Sequence, residues 1–214
     1  MESSDLILVC FALTTETGPF RRVARQRPRV RILVTGMGPR NAEATLRTWL
    51  TRNRPAWVAT CGFAGGLDPA LEHGAVVFEA DQDFPHSAAL LAAGARAGRF
   101  HCSPTIAVTA ADKQRLREET GAAAVEMESG VIRAVCREHG VPSATVRAIS
   151  DVARETLPLD FNRLAAPDWR VDYFKLAGAI LGTPGKLGEL LRLQRQTRQA
   201  AVRLAAVLAA VTAG

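Results

Sequence analysis

Short apolar segments that alternate with amphipathic or polar segments constrain the fold of this chain most strongly. Apolar runs rich in β-forming residues are typical of buried strands. They occur at 5–13, 30–38, 56–66, 74–80, 105–110, 122–127 and 143–150. Helical segments are predicted between them, at 41–53, 112–120 and 128–140. Strands that are apolar throughout and alternate with helices predict an α/β fold, in which helices cover both faces of a sheet.

The length and composition fit one globular domain. The chain has 214 residues, of which 48% are hydrophobic, and this is enough to bury a substantial core. Its apolar runs are all shorter than the roughly 18 residues that a membrane span requires, and the first residues do not resemble a secretion signal. We therefore expect a single cytoplasmic domain over 1–214, with a C-terminal helical extension at about 168–214.

Cysteines and charge argue against several classes of function. Cys10, Cys61, Cys102 and Cys136 show neither C-x-x-C spacing nor a histidine at zinc-ligand spacing, so we expect free thiols and no metal site. The net charge of +6 is compatible with nucleic acid, a membrane surface or an anionic ligand. Because the arginines are scattered and aromatic residues are not interleaved with them, we predict no nucleic-acid partner.

The C-terminal segment is predicted to be a long helix that follows a Gly-Thr-Pro-Gly break at 182–185. Its apolar positions share one face, and its polar and basic positions share the other. The apolar face comprises Leu187, Leu190, Leu191, Ala201, Ala205 and Leu208, and the polar face comprises Glu189, Arg192, Arg195, Gln199 and Arg203. Two interpretations stay open: the helix packs on the sheet, or it lies on a membrane surface.

Polar and glycine residues follow several predicted strands, where sheets of this class bind ligands. These candidate site residues are Glu16, Gly36, Met37, Gly62, Phe63, Ala64, Glu126, Met127, Glu128, Ser150 and Asp151. Each acid has a structural alternative when taken alone, because Glu128 could complement a helix dipole, Asp151 could cap a helix, and Glu16 could lie in a surface loop. The glycine-rich segment 62–66 is not a Walker loop, because no G-K-[ST] follows it.

Three segments together resemble a known family. CGFAGGLDPALEHGAVV, AVEMESGVIRAVCREHGVP and VRAISDVA, in this order and spacing, resemble the methylthioadenosine/S-adenosylhomocysteine nucleosidase and purine nucleoside phosphorylase superfamily. The resemblance covers about residues 5–161. It implies a three-layer α/β/α sandwich with a central mixed sheet, and cleavage of an N-glycosidic bond without a metal or organic cofactor. It also implies at least a homodimer.

The resemblance implies a role for each candidate residue. Glu128 would hold the ribose 2′-OH, and Met127 would form the floor under the sugar. Asp151, with Ser150 beside it, would donate a proton to purine N7, and Glu16 would hold the attacking water. Glu126 would support the site. The remaining substrate-binding candidates are Gly62, Phe63, Ala64, Gly36 and Met37. Carboxylates suit this chemistry, because the breaking bond leaves positive charge on the ribose and negative charge on the base.

Two departures from the family pattern, and the tail, indicate a branch of the superfamily. Phe63 stands where nucleosidases usually have a small serine, so a hydroxyl near the nucleophile is missing. The segment 81–104 is short, and this predicts an open site and a large 5′ substituent. LPLDFNRLAAPDWRVD and LLRLQRQTRQAAVRL resemble the hopanoid-associated phosphorylases, which are proposed to remove adenine from adenosylhopane. Trp169, Tyr173 and Phe174 could add an apolar surface.

The substrate and the nucleophile stay open at this point. The alternatives to adenosylhopane are methylthioadenosine or S-adenosylhomocysteine, another purine nucleoside, or a non-catalytic nucleoside-binding protein. Phosphate as co-substrate would need arginine donors, for which Arg21, Arg22 and Arg40 are candidates by position. A carboxylate at Glu16 would repel phosphate, so we expect water.

Overall fold

The computed structural model describes residues 5–160, 162, 185 and 187–213. The strands are β1 (Ile7–Phe11), β2 (Val30–Val34), β3 (Trp57–Gly66), β4 (Val76–Ala80), β5 (Arg96–Ala97), β6 (Phe100–Cys102), β7 (Ala124–Glu126) and β8 (Ser143–Asp151). The helices are α1 (Gly18–Ala24), α2 (Pro39–Leu50), α3 (Ser87–Ala92), α4 (Ala110–Thr120), α5 (Ser129–Glu138) and α6 (Leu187–Val211). A 3-10 turn at Thr14–Thr17 joins β1 to α1.

The strands form one mixed sheet, as the resemblance implied. Its main order is β2-β1-β3-β8-β4-β5. The pairs β1–β2, β1–β3, β3–β8 and β4–β5 are parallel, whereas β4 runs antiparallel to β8. The far end of β3 also pairs antiparallel with β7, which in turn pairs with β6. The long β3 therefore brings the end of β7 next to the ends of the central strands.

Helices cover both faces of this sheet, and β1 shows why. Side chains alternate along a strand, and on one face Val9 and Phe11 join the core that includes α1, α3 and α6. On the other face Leu8 and Cys10 join the core formed with α2 and α5. The predicted three-layer α/β/α sandwich is confirmed.

The C-terminal helix packs against the sheet. Its buried residues are Ala200, Ala201, Leu204, Ala205, Val207, Leu208 and Val211, and all of them except Ala201 belong to the larger core cluster. This favours the packed interpretation, although Leu191 and Val202 are exposed. Among the described helices, none is sufficiently long and apolar to span a bilayer. Peripheral membrane contact stays a prediction, and so does the domain assignment over 1–214. Trp169, Tyr173, Phe174 and positions 182–184 lie outside the described residues.

The predicted strand at 105–110 is wrong. The backbone of Ile106 is paired with the side chain of Asn162, which donates to its carbonyl at 3.0 Å and accepts from its N–H at 2.8 Å. Thr109 then caps α4: the Asp112 N–H donates to its hydroxyl oxygen at 3.0 Å, and its hydroxyl donates to the Asp112 carboxylate at 2.6 Å. Side-chain hydrogen bonds thus replace the strand ladder here.

The glycine-rich segment is strand rather than loop. β3 continues to Gly66, with a register shift against β8 between Ala64 and Gly65. Gly62 has a φ of 146°, and a Cβ there would lie 2.6 Å from both Arg147 Nη1 and Glu16 Oε1. Only glycine fits this position. The short strands β5 and β6 were not predicted, because the segment 81–104 carries no long apolar run.

Candidate active site

A cavity of about 210 Å³ opens where the central strands end. It contains eight of the residues that the sequence predicted: Glu16, Met37, Phe63, Ala64, Glu126, Met127, Glu128 and Ser150. It is completed by Ala12, Leu13, Gly65, Thr105, Ile106, Ala107, Val125 and Arg147. The candidate residues, which are far apart in sequence, therefore converge on one site.

Arg147 lies at the bottom of this cavity, in the middle of β8, and its side chain is 2% exposed. Its Nη2 lies 2.6 Å from Glu126 Oε2 and 3.4 Å from Glu128 Oε2. Nη1 donates to the carbonyl of Cys61 at 3.3 Å, and Nη2 also lies 3.3 Å from the hydroxyl of Thr60. A buried guanidinium requires anionic partners, and Arg147 thereby fixes the carboxylates around it.

Glu126 is the best-satisfied of these carboxylates. One oxygen accepts from the backbone N–H groups of Glu128 and Ser129, at 3.0 and 2.9 Å, in addition to Arg147. The other accepts from the hydroxyl of Ser129 and the thiol of Cys102, both at 2.7 Å. Burial acts to raise the pKa of Glu126, but the Arg147 charge and these hydrogen bonds outweigh it and hold the pKa below its usual value. Glu126 therefore fits the supporting role that was predicted for it.

Glu128 begins α5 and faces the cavity. Its Oε1 accepts from the backbone N–H of Gly38 at 3.0 Å. Burial raises the pKa of Glu128, although the charge of Arg147 opposes the shift. Met127 also lines the cavity, next to Glu128. This carboxylate has few partners in the protein, so a polar ligand group can hydrogen-bond to it.

Glu16 lies in the 3-10 turn after β1, across the cavity from β7. Its Oε2 accepts from the N–H of Leu13 at 2.8 Å, and its Oε1 from the N–H of Phe63 at 3.3 Å. Burial raises the pKa of Glu16, again against the opposing charge of Arg147. A raised pKa makes this carboxylate a stronger base than an ordinary one, which suits a group that takes a proton from a nucleophile.

Asp151 ends β8 directly behind the cavity wall. It does not itself line the cavity; Ser150 does, and the Ser150 hydroxyl donates to Asp151 Oδ1 at 2.6 Å. Lys113 Nζ lies 2.5 Å from Asp151 Oδ2. Gly65 lines the cavity next to this oxygen. A Cβ at Gly65 would lie 3.3 Å from Asp151 Oδ2, so the glycine leaves the space between that oxygen and the cavity free of a side chain.

Some predicted positions lie outside the cavity. Gly36 packs against Asn41, and Gly62 lies behind the wall, between Glu16 and Arg147. The phosphate candidates Arg21, Arg22 and Arg40 are exposed and do not line the cavity.

Sequence reasoning missed several residues of the site, chiefly Arg147, Lys113 and the segment 105–107. Arg147 carried a signal, because it interrupts the apolar strand VRAIS. Lys occurs only at 113, 175 and 186, but Lys113 lies in a polar helix, where a lysine is usually exposed. The segment 105–107 was hidden by the wrong strand assignment.

The thiols are free, as expected, and three of them are buried: Cys10, Cys61 and Cys136. Cys102 is exposed as a residue, but its sulfur is partly buried against Glu126. This burial and the Glu126 charge raise its thiol pKa to about 11. Among the described residues, no cluster of three or more His, Cys, Asp or Glu side chains could hold a metal ion.

Comparisons with known proteins find similarity in sequence and in fold. The model of the phosphorylase superfamily matches residues 80–182. A 5′-methylthioadenosine/S-adenosylhomocysteine nucleosidase from Marinomonas sp. is 28% identical over 167 residues, which cover 61% of this chain and 71% of that protein.

Solved structures share the fold. An enzyme of the same description from Colwellia psychrerythraea, in complex with adenine, has a TM-score of 0.69 at 17% identity, over 98% of this chain and 95% of that one. Its counterpart from Neisseria meningitidis, in complex with methylthio-immucillin-A, has a TM-score of 0.68 at 18% identity, over 97% and 98%. The chain is therefore similar in sequence to the phosphorylase superfamily and shares the fold of these nucleosidases, and this similarity indicates an enzyme that cleaves N-glycosidic bonds.

Proposed function

We propose that this enzyme cleaves the N-glycosidic bond of an adenine nucleoside with water and releases adenine. The observation that carries the proposal is the grouping of Glu16 and Glu128 around one buried arginine, Arg147, in a single cavity. Ser150 lines the same cavity and donates a hydrogen bond to Asp151. Cleavage places positive charge on the ribose and negative charge on the base, so a site for it needs carboxylates at the sugar and a proton donor at the base.

Glu128 is proposed to bind the ribose. Its carboxylate faces the cavity and, among the residues that the structure describes, accepts hydrogen bonds from the Gly38 N–H and the Arg147 guanidinium. A ribose hydroxyl that donates to this carboxylate would form a charge-assisted hydrogen bond, which strengthens as the sugar becomes cationic. Met127, which lines the cavity beside it, would pack on the apolar face of the sugar ring.

Glu16 is proposed to activate the nucleophile. Three carboxylates, of Glu16, Glu126 and Glu128, surround the single Arg147 guanidinium, so the local charge is negative when they are ionised. A phosphate dianion would be repelled there, whereas a neutral water molecule would not. Water that donates a hydrogen bond to Glu16 would lose its proton to that carboxylate as it attacks the ribose C1′.

Asp151 is proposed to donate the proton to the leaving base. Ser150 lines the cavity and donates to Asp151, so both residues lie at one end of the site. The missing side chain at Gly65 leaves space through which the carboxyl group can approach a base. Protonation of N7 neutralises the negative charge that develops on the base, and this contribution to the rate is typically about 10²–10⁴-fold.

The proposed substrates are 5′-methylthioadenosine and S-adenosylhomocysteine. Both are in the descriptions of the Marinomonas, Colwellia and Neisseria proteins. The cavity, at about 210 Å³, is smaller than the roughly 300–1,000 Å³ of typical ligand pockets. It would enclose base and ribose while the 5′ group extends outward, which also allows a larger substituent. Adenosylhopane stays a second candidate, which rests on the resemblance of the tail alone. A homodimer or higher oligomer is still expected, and light scattering tests it.

The proposal is tested by incubating the enzyme with adenosine, 5′-methylthioadenosine, S-adenosylhomocysteine, a lipid-linked adenosine and inosine. Each incubation is run with and without phosphate, and released base and sugar are identified by mass spectrometry. Release of adenine and free sugar without phosphate is expected, with the best substrate defining the 5′ group. Formation of ribose 1-phosphate only when phosphate is present would contradict the role of water, and release of hypoxanthine alone would contradict the adenine assignment.

A further inference from the structure

Lys113 on α4 is buried completely, yet it lies beside the candidate active site. Its exposed fraction is 0%, and its ammonium group makes three contacts. Nζ lies 2.5 Å from Asp151 Oδ2, and it donates to the carbonyl oxygens of Val152 at 3.0 Å and Glu155 at 2.9 Å. An ammonium group has three N–H donors, so each of them has one acceptor.

We propose that Lys113 is a positioning residue that also supplies, through Asp151, the proton that the departing base receives. This inference rests on the proposed function, because it assigns the origin of the proton that Asp151 donates. Lys113 does not reach the cavity and would act only through the carboxyl group of Asp151.

The contacts of Lys113 leave one route for its proton. Carbonyl oxygens such as those of Val152 and Glu155 are not bases, whereas a carboxylate oxygen can accept a proton from an ammonium group. The side chain has no contact with solvent. A proton that leaves Nζ therefore passes to Asp151 Oδ2, and a proton that returns to Nζ passes through Asp151 as well.

The proposed step transfers one proton from Lys113 to the departing base. The C1′–N9 bond breaks, and its electron pair stays on the base. The proposed step starts from the ion pair, with Asp151 ionised and Lys113 protonated. One proton passes from Lys113 Nζ to Asp151 Oδ2, and Asp151 passes a proton on to N7 of the base. This leaves Asp151 ionised and Lys113 neutral. After the base departs, the proton that Glu16 took from the attacking water returns to the pair through solvent.

Other charged groups around the pair stabilise the segment that carries it. The Glu155 carboxylate accepts from the N–H of Val152 at 3.2 Å, and it lies 3.1 Å from His73 Nε2 and 3.6 Å from Arg192. On α4 itself, Asp112 pairs with Arg115, and Arg117 pairs with Asp68. All of these groups contact one another rather than Lys113 Nζ, whose only described side-chain partner is Asp151.

The test compares Lys113→Arg and Lys113→Met with the wild type over a pH series, with adenine release as the readout. Arginine keeps the positive charge and the donors but does not give up its proton. We expect kcat to fall by about 10²-fold in Lys113→Arg, while KM changes little. In Lys113→Met, we expect the alkaline limb of the profile to move at least about one pH unit lower, towards the range of an ordinary carboxyl. Arg115→Met, on the exposed side of the same helix, is the matched control.

The fold of each variant is checked by thermal melting and by adenine binding. Lys113→Arg at the wild-type rate, or Lys113→Met with an unshifted alkaline limb, would overturn the inference and leave the proposed function intact. If neither variant folds, the pH dependence of wild-type activity is the deciding measurement. Activity that already declines as the pH rises through the range of an ordinary carboxyl, around pH 4, would overturn the inference. Activity that persists well above that range supports the inference. No base release by the wild type at any pH is the separate failure of the proposed function.

Discussion

Arg147 on β8 and Glu126 at the end of β7 form a buried ion pair beneath the cavity. Nη2 and Oε2 are 2.6 Å apart, and the two side chains are 2% and 1% exposed. The pair connects two strands that are not neighbours in the sheet, since β3 lies between them. It thereby holds the segment 126–128, including Glu128, at a fixed distance from the central strands.

Replacing Arg147 with methionine should destabilise the protein strongly. The change leaves Glu126 buried without its cationic partner, and an uncompensated buried charge typically costs about 3–5 kcal/mol. Urea unfolding at neutral pH measures the loss. The control is Arg115→Met, which breaks a largely exposed pair with Asp112 and should cost about 1 kcal/mol or less. Equal losses in both variants would show that the buried pair adds no stability.

Replacing Glu16 with glutamine should change the pH dependence of stability. Burial raises the pKa of Glu16 in the folded state, so unfolding releases a proton at pH values between the ordinary value, about 4.3, and the raised one. Wild-type stability therefore falls as the pH rises through the raised pKa. Glutamine does not titrate, so the melting temperature of the variant should rise relative to that of the wild type as the pH increases from about 4.3 through the raised pKa. A constant difference across this range would contradict the raised pKa; Glu43→Gln, at an exposed pair, is the control.

Replacing Gly65 with alanine should slow the reaction more than it weakens binding. The added Cβ would lie 3.2 Å from Val125 Cγ1 and 3.3 Å from Asp151 Oδ2, so it would crowd the path from that carboxyl to the cavity. Small displacements of reacting groups lower rates by up to about 10²-fold, and kcat should fall by roughly tenfold or more. Gly188→Ala on α6 is the matched control, because its Cβ would meet nothing within 4 Å. Steady-state kinetics that show the same kcat in both variants would contradict this position for Asp151.

Replacing Glu128 with glutamine should weaken discrimination between ribosides and 2′-deoxyribosides. Hydrogen bonds to charged groups contribute about 1.5–3 kcal/mol, so the wild type should prefer the riboside by roughly tenfold or more in kcat/KM. The preference should shrink towards unity in Glu128→Gln, even as its overall rate falls. Glu138→Gln, at the exposed end of α5, should keep the wild-type preference. An unchanged preference in Glu128→Gln would place the hydroxyl contact elsewhere.

The sequence predicted those parts of the fold that depend on local pattern. The apolar segments at β1 and β3 are buried strands because their side chains face cores on both sides of the sheet. The segment 105–110 has the same apolar character but forms no strand, because its backbone is paired with Asn162, which is distant in sequence. Hydrogen bonds of this kind leave no periodic signal.

The candidate site could be predicted in part for the same reason. Glu128 and Ser150 follow strands, and strand ends meet at one edge of a sheet. Lys113 comes from a helix whose polar sequence is typical of an exposed surface, and only the tertiary packing places it against Asp151. Asp151 itself was predicted, but not that its carboxyl group lies behind Ser150, because a sequence does not determine the direction of one side chain at a strand end.

The most direct test of the proposed function is adenine release from 5′-methylthioadenosine in phosphate-free buffer, by the wild type and by Asp151→Asn. Asparagine keeps the size of the side chain but cannot donate the carboxyl proton, so release by the variant should be about 10²–10⁴-fold slower. Rapid release by the wild type, lost in the variant, is the predicted result. Equal rates of release in both would contradict the role of Asp151, and no release from this or any other adenine nucleoside by a folded wild-type protein would contradict the central claim.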